Sequence, residues 1–161
     1  MKPARVGDTI PGLVMTKKAS TESEAVTITL AANSLFVRPI RNFLRALTDY
    51  AEYDEQEADS LALVVTELVN NSIEHGSHSS RDRVEMTVLV TGDGYRLEVV
   101  DVGSGGQQFA DRAEELAKKK PSLESPRGRG LFLVRSIVDE LVVQFDPDQG
   151  TRVTVSKIRK P

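Results

Sequence analysis

Cysteine is absent from the 161-residue chain, which excludes disulfides, zinc–thiolate centres and thiol nucleophiles. Two histidines argue against a histidine-rich metal site. Charge of one sign is also lacking. The 24 acidic and 21 basic side chains leave a net charge of −3, so there is no electrostatic footprint for nucleic acid or an anionic membrane. No apolar run approaches the roughly 20 residues that span a bilayer. The N-terminal MKPARVGDTIPGLVM places proline and glycine where a signal peptide needs its apolar segment. A cytoplasmic protein without membrane or direct nucleic-acid contact is expected. The common nucleotide signatures are missing too. No G-x-x-x-x-G-K-[ST] occurs, which excludes a P-loop protein, and no G-x-G-x-x-G is completed, which argues against a Rossmann cofactor site.

What remains is ordinary globular material, 39% hydrophobic and 28% charged, enough for one domain with a real core and a short tail. Residues 1–24 carry Pro3, Gly7, Pro11 and Gly12 before a polar run, and are expected to be an extended or loosely ordered leader. Alternation over residues 26–30 predicts a strand. Asn33 or Ser34 can cap a following helix, in which Leu35, Val37, Ile40, Phe43, Leu44 and Leu47 recur at helical spacing up to Tyr50. Asp54 is a good N-cap for a second helix, with Glu55 and Glu57 in its first turn and Gly76 as its stop. Strands are predicted over 84–90 and 95–101 around Gly92-Asp93-Gly94, and over 141–145 and 151–155 around residues 147–150. A charged helix is predicted over 109–120, and a third core helix with the stripe Leu131, Val134, Ile137 and Val138 runs up to Asp139. Adjacent strands separated by helices imply an α+β fold, a mostly antiparallel sheet with helices on one face.

Three stretches carry chemistry. Thr66-Glu67-Leu68-Val69-Asn70-Asn71 continues the apolar run of residues 61–65, and Glu67 and Asn71, four apart, share a helix face. Polar groups beside an apolar stripe need partners. An amide oxygen is a hard ligand for Mg²⁺, and a carboxylate one turn earlier can polarise an attacking hydroxyl or water. A satisfied polar network would use the same two residues. Asp101 ends a strand and enters a loop with Gly103 and Gly105. Those glycines let backbone approach a ligand, and the carboxylate can accept from an amino group such as that of adenine; a flexible turn with a solvated aspartate is the alternative. Gly128-Arg129-Gly130 opens a helix whose free N–H groups suit phosphate, with Arg127 and Arg129 adding charge-assisted contacts, unless it is only a linker. His75 reads as a helix-end hydrogen-bonding residue and Thr151 as a strand threonine.

A helical Glu-x-x-x-Asn, then Asp-x-Gly-x-Gly, then Gly-x-Gly before a helix, spread over residues 26–155, resembles the GHKL ATPase superfamily, whose two-layer α/β sandwich is the Bergerat fold. Within it, TELVNNSIEHG and RGRGLFLVRSIVDEL are similar to the anti-sigma factor serine/threonine kinases of bacterial partner-switching systems. The resemblance implies a histidine-kinase-like ATPase domain over residues 25–161 that takes ATP and Mg²⁺. Glu67 would be the catalytic base and Asn71 the Mg²⁺ ligand. Asp101 would recognise the adenine amino group with Thr151 beside it, Gly103 and Gly105 would shape that loop, Gly128 and Gly130 would cradle phosphates, and residues 107–127 would form a lid. The implied partners are a STAS-type anti-sigma factor antagonist, which is phosphorylated, and a sigma factor, which is held. A homodimer through the N-terminal strand and first helix is also implied. The alternatives are a non-catalytic ATP-binding switch that acts by partner binding alone, and a structural α+β interaction module.

Overall fold

The computed structural model of the chain describes residues 13–17, 25–77, 82–102, 107, 110, 111, 115 and 129–160. In chain order these form β1 (Leu13–Lys17), β2 (Val26–Ala31), a 3₁₀ turn (Ser34–Phe36), α1 (Val37–Tyr50), α2 (Glu55–Asn71), a π-helical turn (Ser72–Gly76), β3 (Arg83–Thr91), β4 (Gly94–Asp101), α3 (Arg129–Ile137), β5 (Glu140–Asp146) and β6 (Gly150–Ile158). The strands make one six-stranded sheet in the order β1-β2-β3-β4-β6-β5. Each pairing is antiparallel. This is the α+β sandwich expected from the sequence.

Period-two alternation decides which face of the sheet is covered. Ile28 and Leu30 of β2, Val84, Met86 and Val88 of β3, Leu97 and Val99 of β4, and Val153 and Val155 of β6 are all buried. The intervening residues form an open polar face. There the Thr27 and Thr87 hydroxyls pair across β2 and β3 at 2.9 Å, and Arg152 makes an ion pair with Glu98. α2 packs between α1 and α3 and against β4. It buries Leu61, Val64, Val65, Leu68 and Val69, which explains why its sequence is apolar on more than one side.

Local chemistry sets the helix ends. The Asp54 carboxylate accepts the Glu57 N–H at 2.8 Å, and Glu57 returns a contact to the Asp54 N–H at 3.0 Å. This capping box satisfies two otherwise orphaned donors. Asn33 caps the 3₁₀ turn that leads into α1, and Pro39 stands in the first turn of α1, where its missing N–H is harmless. Two details were not predicted. Leu13–Lys17, within the leader expected to be extended or loosely ordered, is a strand that pairs with β2 in the register Leu13↔Leu30 and so covers an edge that β2 would otherwise leave open. The second helix also leaves α geometry at Asn71 and reaches Gly76 through the π-helical turn. Of the charged segment expected to be helical over 109–120, Ala110, Asp111 and Glu115 are helical and the other positions lie outside the described residues.

Candidate functional site

The C-terminal end of α2, the N-terminal end of α3, the last residue of β4 and the first residues of β6 meet at one pole of the sandwich. The π-helical turn that follows Asn71 packs against β4 and β6, which joins the helical and strand halves of the site. Such one-residue expansions of a helix occur frequently at functional sites. Here it buries the Ser72 side chain and carries the chain from Asn71 toward the sheet.

Glu67 is half-buried on α2. Gly130, in the first turn of α3, lies directly against it: a Cβ added at Gly130 would overlap the Glu67 carboxylate oxygen Oε2. A carboxylate at a helix N-terminus is favourably placed in the field of the helix. Burial, and then the neighbouring Glu74 carboxylate, push the Glu67 pKa above the usual carboxylate range. A raised carboxyl pKa is a property expected of a proton acceptor.

Asn71 follows one turn later. Its Nδ2 is buried and has no hydrogen-bond partner among the described residues. Across the site, Asp101 and Thr151 face each other in the β4–β6 register and are both buried, at 3% and 1% exposure. The Thr151 hydroxyl likewise has no partner among the described residues. Buried polar side chains are nearly always hydrogen-bonded, and leaving one unpaired costs on the order of 1–3 kcal/mol. Two such groups at the same pole, beside a buried carboxylate, argue for a polar ligand that completes them.

The structure therefore packs Gly130 on Glu67 and pairs Asp101 with Thr151, with Asn71 at the end of α2, where the π-helical turn leads from the first pair toward the second. Arg129 is exposed at the start of α3. Gly103, Gly105, Arg127 and Gly128 lie outside the described residues, as does residue 107–127 save for positions 107, 110, 111 and 115. Two contributors escaped sequence reasoning. Gly150, read only as a turn residue, adopts a φ of 83°, and its α-carbon lies so close to the Asp101 carbonyl that a Cβ would overlap it. Glu74, seven residues on and carried by the π-helical turn, acts on Glu67 through its charge.

The profile of the Histidine kinase-like ATPase domain matches residues 30–157. The chain belongs to that family. Among curated relatives, the Anti-sigma F factor of Clostridium botulinum (strain Eklund 17B) is 31% identical over 102 residues, covering 63% of this chain and 71% of that protein. The Anti-sigma F factor of Geobacillus sp. (strain WCH70) is 31% identical over 102 residues, covering 63% and 69%, and that of Clostridium acetobutylicum is 28% identical over 102 residues, covering 63% and 71%. A histidine kinase-like ATPase domain implies nucleotide binding, and the orphaned Asn71 and Thr151 groups fit that ligand. Among the described residues no three acidic or histidine side chains converge to hold a metal. The orphaned Asn71 Nδ2 is a donor that suits a phosphate oxygen, and its amide oxygen would be the one protein ligand of a cation, such as Mg²⁺, that completes its shell with phosphate and water. No helix among the described residues is long and apolar enough to cross a membrane.

Proposed function

We propose that the chain is a Mg-ATP-dependent serine/threonine protein kinase that also acts as an anti-sigma factor. It phosphorylates a STAS-type anti-sigma factor antagonist, and it holds a sigma factor when that antagonist is phosphorylated. The observation that carries the reading is the half-buried Glu67 carboxylate at the α3 N-terminus, beside an Asn71 amide whose nitrogen has no partner among the described residues. The relatives' name, Anti-sigma F factor, supports a sigma factor as a partner.

In this reading Asp101 accepts from the adenine amino group, and the Thr151 hydroxyl completes that end of the nucleotide. The N–H groups at the start of α3 receive phosphate oxygens. Asn71 would hold Mg²⁺, which supplies neutralisation of phosphate charge. Glu67 takes the proton from the acceptor serine or threonine hydroxyl as that oxygen bonds to the γ-phosphorus and the bond to ADP breaks. Phosphoryl transfer needs mainly positioning and charge stabilisation, so this small set is sufficient.

The reading is tested by incubating the protein with γ-labelled ATP and candidate antagonists, ideally those encoded beside its gene. Label is expected on a serine or threonine of one antagonist. Nucleotide binding with no transfer to any antagonist and no hydrolysis would instead establish a switch that works by binding alone. Asn71→Ala is expected to weaken Mg-nucleotide binding at least tenfold while leaving metal-free nucleotide binding much less affected. In thermal melts, nucleotide at a hundred times its Kd should add about 2.7 kcal/mol to the parent protein. Equal stabilisation of Asn71→Ala at the same Mg-ATP concentration would remove Asn71 from the metal site.

A further inference from the structure

At the nucleotide pole the covered face of the sheet carries a row of three side chains. Phe145 of β5 stands opposite Thr151 of β6, and Thr151 stands opposite Asp101 of β4. One step inward on the same face, Val143, Val153 and Val99 form the corresponding row, and all three belong to or pack against the hydrophobic core. The outer row breaks that pattern. Asp101 and Thr151 are buried polar residues, and Phe145 is a half-buried aromatic. Leu141 and Val143 of β5 pack against the core, whereas Phe145, the next position on their face, is outside that cluster. An aromatic ring left out of the core beside polar groups that await a ligand has apolar surface to give to that ligand.

The hairpin turn fixes where Phe145 stands. The Asp146 carboxylate Oδ1 accepts the Asp148 and Gln149 N–H groups at 2.8 and 3.0 Å, and Gly150 closes the turn at a φ of 83°. Gln144, Arg152 and Val100 alternate onto the open face, so Phe145 is the side chain that β5 presents beside Thr151. Neighbouring strands lie about 4.8 Å apart, which sets Phe145 two spacings, about 10 Å, from Asp101. A base whose amino group donates to Asp101 must therefore cross Thr151 to reach Phe145. Adenine and cytosine both carry such an amino group, and a carboxylate that accepts from it does not tell them apart. The two fused rings of adenine extend further across the row than the single ring of cytosine.

We infer that Phe145 selects a purine over a pyrimidine at this site. Asp101 reads the amino group, and Phe145 supplies the apolar wall that the second ring of the purine reaches. The inference rests on the nucleotide reading of this pole and adds base selection to it.

The test compares equilibrium binding of Mg-ATP and Mg-CTP to the full chain and its variants. Phe145→Ala is expected to weaken ATP roughly ten- to hundredfold, the range of an aromatic–base contact, and CTP by less than about threefold, since CTP does not make that contact. Phe145→Leu keeps an apolar side chain and should recover part of the ATP affinity. Without nucleotide both variants should melt within a few degrees of the parent, because Phe145 is outside the core. The chain has no tryptophan, so Phe145→Trp places a single indole at the wall. Its emission should change saturably with ATP and stay constant with inorganic triphosphate. An ATP affinity unchanged in Phe145→Ala, equal losses for ATP and CTP, or indole emission indifferent to ATP would each overturn the inference. Asp101→Asn separates that failure from failure of the nucleotide reading. If it weakens ATP while Phe145→Ala does not, Asp101 keeps its place and Phe145 alone loses its role; a parent chain that binds no ATP would remove both.

Discussion

Glu67→Gln is expected to bind ATP as the parent does and to transfer phosphate roughly a hundred- to ten-thousandfold more slowly. Glutamine keeps the shape of the side chain and its contact with the start of α3, so the pocket for the nucleotide is preserved. It cannot take a proton, and loss of a positioned general base removes about 3–5 kcal/mol of transition-state stabilisation. Gly130→Ala should give nearly the same phenotype for a different reason. Its new Cβ would overlap Glu67 Oε2, and a flexible carboxylate yields more easily than a helix backbone, so the side chain is displaced while the fold survives. A steady-state transfer assay alongside equilibrium nucleotide binding separates the outcomes. Parent-like transfer by Glu67→Gln sinks the base assignment, and parent-like transfer by Gly130→Ala shows that the carboxylate's position is immaterial.

The acidity of Glu67 adds two directions to that result. Burial and Glu74 raise its folded pKa, so the acidic limb of the transfer rate should lie at higher pH than an ordinary glutamate would give, and Glu74→Gln should move it down. The same shift bears on stability. A carboxyl whose folded pKa exceeds its unfolded pKa favours the fold below the unfolded value, and that contribution is lost as pH rises through the folded value. Near neutral pH the ionised side chain therefore opposes folding. Glu67→Gln should melt at or above the parent temperature there, the pattern of a residue retained for function and not for stability. A clear loss of thermal stability in the variant would mark Glu67 as a structural residue.

Much of this arrangement was legible because the relevant signals are local. Alternation located β2, β3, β4 and β6, Asp54 announced its capping box, and the four-residue step from Glu67 to Asn71 put both on one face of α2. The two hairpins were recognisable from their turns, but the β4–β6 pairing that sets Asp101 against Thr151 joins strands of different hairpins, and only the family resemblance implied it. β1 was not legible, because Leu13-Val14-Met15-Thr16-Lys17 lacks clean alternation and stands beyond Pro11 and Gly12; pairing with β2 supplies its stability. The π-helical turn leaves no mark in helical periodicity; the i, i+7 step from Glu67 to Glu74 puts both on one helix face, but spacing alone does not say that the second carboxylate acts on the first. The seat of Arg159, which stacks on the Tyr53 ring and reaches Glu57 across 102 positions of sequence, is assembled by the tertiary fold alone, and no spacing rule connects residues so far apart.

Gly150→Ala is expected to damage both stability and nucleotide binding, in contrast to the two variants at Glu67 and Gly130. The residue sits at φ 83°, where a side chain costs about 1–2 kcal/mol. The added Cβ would also overlap the Asp101 carbonyl oxygen and approach the Val102 α-carbon at 2.8 Å. Those atoms are backbone and cannot swing aside, so β6 must move away from the end of β4, at a further cost of roughly 1–3 kcal/mol. Against a typical domain stability of about 5–15 kcal/mol, the melting temperature should fall by on the order of 10 °C. The movement carries the Asp101 carboxylate and the Thr151 hydroxyl out of register, so ATP affinity should fall with stability, even at temperatures where the variant is fully folded. Gly92 provides the control, since it too stands in a hairpin turn but a Cβ there meets nothing within 4 Å. Gly92→Ala should change stability by under about 1 kcal/mol and leave ATP binding intact. If Gly150→Ala lowers the melting temperature yet binds ATP with parent affinity when folded, then the Asp101–Thr151 pairing does not hold the nucleotide, and that end of the site must be assigned elsewhere.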